Sequence, residues 1–175
     1  MVTPTPSPTE TPSPTPTPSP TATTLTEDEV LAALPPEALV ESFPGAVAFA
    51  EFFVGLFPEL FQESAQPELF AALSGPDCVF CANALENAAT AQERGLTTTG
   101  GGIALDSASA QGGLREEPLW QVEAPFTEAA IDYLDAEGQV VDEDGERSGN
   151  LVAVLSYEDE RWSMADVAFE YRDAD

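Results

Sequence analysis

The two cysteines in Cys78-Val79-Phe80-Cys81 have the types and spacing that could do chemistry. In the first turn of a helix, residues i and i+3 have Cα atoms about 5 Å apart, which a disulfide accepts. A redox-active dithiol is an alternative, because a helix N-terminus activates a thiol, but that motif normally follows a βαβ unit. A metal site would need two further soft ligands. The spacing therefore favours a structural disulfide, and a disulfide implies an oxidising, extracytoplasmic compartment.

Charge and composition exclude several classes of protein. The 175 residues include 32 acidic residues, 5 basic residues and no histidine, which gives a formal net charge of -27. A nucleic-acid binder needs a basic patch, and an anionic membrane surface would repel this chain. Without histidine there is no Ser-His-Asp triad and no imidazole-bound zinc. We therefore expect no nucleic-acid partner, no metal and no cofactor.

A carboxylate in an apolar pocket is the kind of catalytic group that this composition still permits. The candidates on predicted strands are Glu123, Asp132 and Glu170. The aromatic residues that could wall such a pocket are Trp120, Tyr133, Tyr157 and Trp162. Strand alternation points Asp132 away from Ile131 and Tyr133, towards solvent, and Glu123 behaves in the same way. We therefore assign no catalytic residue.

The acidic run at 142–146, Asp-Glu-Asp-Gly-Glu, is a possible cation site. It lacks the spacing of an EF-hand, in which ligands lie at fixed positions around a central glycine. The run is interpreted as a hairpin loop.

The first 20 residues contain eight of the 16 prolines, alternating mostly with threonine and serine. Proline fixes φ and favours extended geometry in the residue before it. Residues 1–25 are therefore predicted to be a disordered, semi-stiff spacer of polyproline-II character. Residues 26–175 are predicted to form a single globular domain.

Helix signals dominate the first part of that domain. Thr26 to Glu29 form a capping box, and the helix it begins should stop at Pro35. A second helix is predicted to begin near Pro44, with Phe43 in place of a capping residue, and to kink or break at Pro58. Its phenylalanines recur at three- and four-residue steps, which is typical of a core-facing stripe.

Two more helices are predicted before the pattern changes. A short one spans residues 67–73, and a longer one is capped by Asp77, runs to Arg94 and closes at Gly95. Alternating apolar residues then predict strands. The predicted strands are residues 103–109, 120–124, 129–134, 149–157 and 161–169. Helices followed by strands indicate an α+β fold, with helices on one face of an antiparallel sheet of about four or five strands.

Two longer segments resemble a known family. Residues 43–53 read FPGAVAFAEFF and residues 69–81 read LFAALSGPDCVFC, and Gly95 and a glycine triplet at 100–102 follow. This pattern, over residues 43–169, resembles an actinobacterial family of uncharacterised lipoproteins (domain of unknown function 6318). The resemblance implies a lipobox leader upstream of the spacer, a place outside the cytoplasm, and a cone similar to NTF2-like and cystatin-like folds. In such a cone a curved sheet wraps a long helix. The only membrane attachment implied is the lipid anchor of the native form, which this chain lacks.

The resemblance brings no activity with it. We therefore expect a non-catalytic domain that binds an envelope protein or a small ligand in an aromatic concavity. The predicted concavity residues are Phe52, Phe53, Phe57, Trp120, Tyr133 and Trp162. The alternatives are an NTF2-like small-molecule enzyme that uses a buried carboxylate, and a redox accessory protein that uses the CxxC pair.

Overall fold

The chain folds into helices followed by strands, as predicted. The computed structural model describes residues 25–63 and 65–172, so the predicted spacer at residues 1–25 lies outside the described residues except for Leu25. Over the described residues there are four α-helices: α1 (Glu27–Ala33), α2 (Phe43–Glu59), α3 (Pro67–Leu73) and α4 (Val79–Glu93). The described strands are β1 (Thr97–Gly100), β2 (Ile103–Leu105), β3 (Gln111–Glu116), β4 (Leu119–Glu128), β5 (Ile131–Leu134), β6 (Val140–Asp144), β7 (Arg147–Glu158) and β8 (Arg161–Tyr171). Within the part of the chain described, no helix has both the length and the apolar character that crossing a membrane requires.

Helix α1 begins at the predicted capping box. The Glu29 N–H donates to Thr26 Oγ1 at 3.4 Å, and the Thr26 N–H donates to Glu29 Oε2 at 2.8 Å. The hydrogen bonds from Thr26 lower the pKa of the exposed Glu29 carboxyl. Helix α1 itself contains no buried residue, so its cap rather than its packing defines its start.

Helix α2 starts earlier than predicted. Ser42, and not Phe43, occupies the capping position, and its Oγ accepts a hydrogen bond from the Gly45 N–H at 3.1 Å. Pro44 then lies in the first turn, where its missing N–H costs nothing. Pro58 lies inside the last turn of α2, one residue before its end at Glu59, so the predicted kink or break falls at the end of the helix.

Helix α4 carries the disulfide. Cys78 and Cys81 are bonded, and their Cα atoms are 5.2 Å apart, as the spacing predicted. The capping residue is Cys78 and not Asp77, because Cys78 Sγ accepts the Cys81 N–H at 3.2 Å. Both cysteines are buried, and the exposed Asp77 precedes the helix. Gly95, at φ +67°, closes the helix in the predicted left-handed conformation.

The strands form two antiparallel sheets, which confirms the α+β fold class. A five-stranded sheet has the order β2-β4-β7-β8, with β3 also paired to β4, and a three-stranded sheet has the order β1-β5-β6. The described strands outnumber the four or five predicted because three of them are rich in glycine, threonine or acidic residues. The acidic run at 142–146 was wrongly interpreted as a loop: its first three residues belong to β6 and pair with β5. Charged side chains are tolerated there because β6 is an exposed edge strand.

Alternation along the central strands places one face of the larger sheet against α2. In β4 the buried residues are Val122, Ala124, Phe126 and Glu128, and in β7 they include Gly149, Leu151, Ala153 and Leu155. The segment predicted as a strand at 103–109 keeps this pattern only to Leu105, after which residues 107–109 turn as a 3-10 helix. Phe49 and Phe53 of α2 are fully buried over this face. The core therefore lies between α2 and the larger sheet.

Candidate functional site

The two sheets meet along a line where strand pairing stops on three neighbouring segments of chain. Pairing of β4 with β7 ends at Glu128 and Arg147, and pairing of β5 with β6 resumes at Ile131 and Asp144. Between β1 and β2 the same break occurs, since Gly100 pairs with Ile131 and Ile103 pairs with Glu128. We call the residues between these paired positions, 101–102, 129–130 and 145–146, the crease. Across it the Gly101 N–H donates to the Ala130 carbonyl and the Ala129 N–H donates to the Gly102 carbonyl, both at 3.0 Å.

Small residues make the crease possible. Five of its six residues are glycine or alanine. Gly101 has φ +71°, and a Cβ there would lie 3.0 Å from Ile131 Cγ1 and 3.6 Å from Pro58 Cβ. Glycine suits this position because it adopts the positive φ without strain and leaves room for Ile131. The crease therefore turns the smaller sheet over the C-terminal end of that helix.

A cavity of about 230 Å³ lies inside this bend. Its walls are mostly aromatic or aliphatic, and its polar groups are one carboxylate, one guanidinium, one threonine and two tyrosine hydroxyls. The lining residues are Phe57, Pro58, Phe61, Thr98, Gly101, Glu128, Ile131, Tyr133, Arg147 and Tyr171. We call it the crease cavity. Apolar walls with a few converging polar groups are typical of small-ligand sites.

An ion pair forms the polar part of the crease cavity. Arg147 Nε and Nη2 each lie 3.0 Å from Glu128 Oε2, across the last paired position of β4 and β7. Only 5% of the Glu128 side chain is exposed, whereas 41% of the Arg147 side chain is. The guanidinium carbon of Arg147 also lies 4.8 Å from the centre of the Tyr171 ring. The buried carboxylate is thus held by a guanidinium that still reaches solvent.

Two tyrosines stand beside this pair. The Tyr133 hydroxyl donates to Asp144 Oδ2 at 2.9 Å, and burial together with that bond raises the pKa of Tyr133. Burial, and then the negative charge of Glu128, raise the pKa of Tyr171 to about 12. Both hydroxyls therefore stay protonated at neutral pH, and their rings remain neutral.

The structure divides the predicted concavity residues between the cavity and the core. Phe57 and Tyr133 line the crease cavity. Phe53 and Trp162 are buried in the core, and Trp162 also borders a separate cavity of about 220 Å³ below α1. The Trp120 ring meets the Trp162 ring at 5.5 Å. Phe52 is half-buried on α2. The six residues are therefore not brought together around one cavity.

The carboxylates considered from the sequence lie elsewhere. Glu123 accepts a hydrogen bond from the Gln121 side chain, Asp132 is half-buried on β5, and Glu170 is exposed on β8. None of these three lines the crease cavity.

Sequence reasoning missed Glu128, Arg147 and Tyr171. The sequence does contain a pattern that could have found Glu128, since Val122, Ala124 and Phe126 alternate as buried positions and Glu128 continues them. Arg147 has the same relation to the buried positions of β7. A charged residue in phase with buried neighbours is a candidate for a functional group.

Comparisons with known structures support the fold. The intermembrane space region of the chloroplast protein ARC6 is 16% identical, with a TM-score of 0.52 over 70% of this chain and 95% of that chain. A periplasmic fragment of TraM is 13% identical, with a TM-score of 0.47 over 76% of this chain and 100% of that one. An NTF2-like superfamily protein from Salmonella enterica serovar Typhimurium is 15% identical, with a TM-score of 0.45 over 74% of this chain and 94% of that one. At these identities the likeness to ARC6 shows a shared fold and nothing about activity.

Sequence comparison identifies the family. A search of curated proteins found no match. A family model does match residues 33–168, which is most of the chain and includes α2, the disulfide, the crease and most of β8. The predicted resemblance to domain of unknown function 6318 is thereby confirmed. The chain belongs to the family of unknown function DUF6318.

Proposed function

We propose that this protein is an extracytoplasmic, non-catalytic binding protein that holds a small ligand in the crease cavity. One observation carries the proposal: a cavity of about 230 Å³ combines apolar and aromatic walls with a buried carboxylate that is paired with a partly exposed guanidinium. Apolar walls supply affinity by releasing water, and a few fixed polar groups orient the ligand.

The disulfide and the predicted spacer support a place outside the cytoplasm. The Cys78–Cys81 bond is buried against the core, and such a bond persists in oxidising compartments. The proline-rich sequence of residues 1–20 suits a stalk that holds the domain away from a surface. We include in the proposal a lipid anchor upstream of this stalk in the native form. Membrane fractionation of the native gene product, with and without signal peptidase inhibition, tests the anchor.

The geometry of Glu128 suits a group that orients a ligand. Its Oε2 atom accepts from two nitrogens of Arg147, which fixes the carboxylate in place and leaves Oε1 for a ligand. The buried carboxylate does give the enzyme alternative a specific candidate, which the sequence had not supplied. The enzyme alternative would be favoured if the wild-type protein converted a small molecule and the Glu128→Gln variant did not.

A redox accessory role is less well supported. Cys78 is 3% exposed and Cys81 is 1% exposed, so a partner thiolate could not reach either sulfur without local unfolding. Thiol titration of the native, unreduced protein should find no reactive thiol. Two readily exchanging sulfurs would instead support the redox role.

A matched pair of variants tests ligand binding. Thr98 lines the crease cavity, and its neighbour Thr99 is exposed on the same strand, so their side chains point to opposite faces of β1. Thr98→Trp should fill the cavity, whereas Thr99→Trp should not. We would screen a fragment library of cationic, neutral and anionic compounds by protein-observed NMR. Fragments that shift amides around the crease in the wild type and in Thr99→Trp, and not in Thr98→Trp, would support the proposal. Absence of any such fragment would contradict it.

A further inference from the structure

We infer that the ligand of the crease cavity is a small organic cation with apolar groups on its charged nitrogen, such as an alkylated ammonium. This inference rests on the proposed binding function and adds the chemical class of the ligand. It is drawn from the rings of the cavity, from the charges around it and from the charge of the whole chain.

Four aromatic rings line the crease cavity. Phe57 and Phe61 meet edge to face, with centres 5.7 Å apart, at the end of α2. Tyr133 and Tyr171 stand on strands β5 and β8. The face of an aromatic ring carries partial negative charge, so several rings around one space attract a cation that has lost its water. Arg147 already shows this preference, since its guanidinium stacks on Tyr171.

The charged side chains at the site also favour a cation. Glu128 and Asp144 carry two negative charges there, and Arg147 carries one positive charge. Arg147 Nε and Nη2 both contact Glu128 Oε2, so that carboxylate already balances the positive charge that an incoming anion would need. The whole chain has a formal net charge of -27. This charge raises the local concentration of cations around the protein and lowers that of anions.

The apolar part of the ligand follows from the remaining walls. Pro58, Ile131 and the two phenylalanines offer no hydrogen bonds to a compact, strongly hydrated ammonium. An alkylated nitrogen loses less hydration on entry and buries its methyl groups against these residues. Inorganic cations are disfavoured for the same reason, because the walls supply too few oxygen ligands.

Three probes of one shape and different charge test the inference with the full chain. They are choline, the neutral isostere 3,3-dimethylbutan-1-ol, and the anion 3,3-dimethylbutanoate. Calorimetric or NMR titration should give choline an affinity about tenfold higher than the alcohol, with the anion weakest. Equal affinities of choline and the alcohol, or preference for the anion, would overturn the cation class and leave the cavity as a ligand site. If fragments of other classes bind the cavity and choline does not, the class is also wrong. If nothing binds there, the proposed function itself fails.

Two pairs of variants separate local effects from general ones. Asp144→Asn removes a charge beside the cavity, and Glu143→Gln removes one from the adjacent, exposed position of β6. Choline binding should weaken by about threefold more in Asp144→Asn than in Glu143→Gln. Tyr171→Phe keeps the ring and should retain binding, whereas Tyr171→Leu should weaken it by about tenfold. Equal effects within both pairs would contradict a cation held by local charge and rings.

Discussion

Substitution of Arg147 should destabilise the fold more than substitution of Glu128, although the two residues form one ion pair. Arg147→Met keeps most of the apolar stem and deletes the charge, which leaves the Glu128 carboxylate buried with 5% of its side chain exposed. Removing one partner of a fully buried pair costs 3–5 kcal/mol, and the neighbouring cavity can admit water, so we expect a loss of about 3 kcal/mol. Glu128→Gln instead leaves Arg147, whose side chain is 41% exposed and can turn to solvent. The loss should then be about 1 kcal/mol.

Urea unfolding at neutral pH measures both losses. The double variant Glu128→Gln/Arg147→Met should recover about 2 kcal/mol relative to Arg147→Met alone, because no buried charge remains. Arg115→Met is the matched control: Arg115 is exposed on β3, and its substitution should change the free energy of unfolding by less than about 0.5 kcal/mol. If Arg147→Met cost no more than Glu128→Gln, the carboxylate would be well solvated, and the description of the site as a buried pair would be wrong.

The remaining predictions concern the disulfide, one glycine and one tyrosine. Changing both Cys78 and Cys81 to serine should lower the free energy of unfolding in urea by about 2 kcal/mol, because a four-residue loop is no longer closed; an unchanged midpoint would contradict a structural role. Gly149→Ala should cost about 3 kcal/mol in thermal or urea unfolding, because its Cβ would lie 2.2 Å from a carbonyl oxygen of β8. Gly145→Ala, which meets open space, should change little, and similar losses for both would contradict the packing. Folding raises the pKa of Tyr171 from 10.0 to about 12, so the folded state favours the protonated hydroxyl. The free energy of unfolding that Tyr171 contributes is therefore complete below pH 10 and is lost as pH rises towards 12. Ultraviolet titration of tyrosinate should show one late step that Tyr171→Phe removes, and an unchanged titration curve would refute the assignment.

Local signals in the sequence predicted the helices well. The Thr26 capping box and Gly95 each act through hydrogen bonds or backbone geometry within a few residues. The cysteine spacing predicted the disulfide for the same reason. Two caps were assigned one residue away: the helix start was placed too late for Ser42, and Asp77 is itself a plausible cap beside Cys78.

Long-range pairing explains what the sequence did not show. Strand β6 has the composition of a loop, and only its pairing with β5 makes it a strand. Glu128 and Arg147 are 19 residues apart and meet because β4 and β7 pair in one register. A shift of one residue in that register would place the two side chains on opposite faces of the sheet. Alternation along β4 could therefore have predicted Glu128, but the residues that contact it follow only from the strand topology.

The crease and the Glu128–Arg147 ion pair together account for the crease cavity. A sheet that bends over the end of α2 leaves a space beside Gly101, which a side chain at that position would partly fill. An apolar side chain at position 128 would collapse into that space, since this position of β4 is buried in phase with the core face. A carboxylate and a guanidinium instead hold each other across the strands at 3.0 Å and keep one side of the space polar. The bend supplies the volume, and the pair prevents its closure by the hydrophobic core. A protein that only needed a stable fold would gain nothing from a buried charge at this place, because an apolar pair of similar volume is often at least as stable.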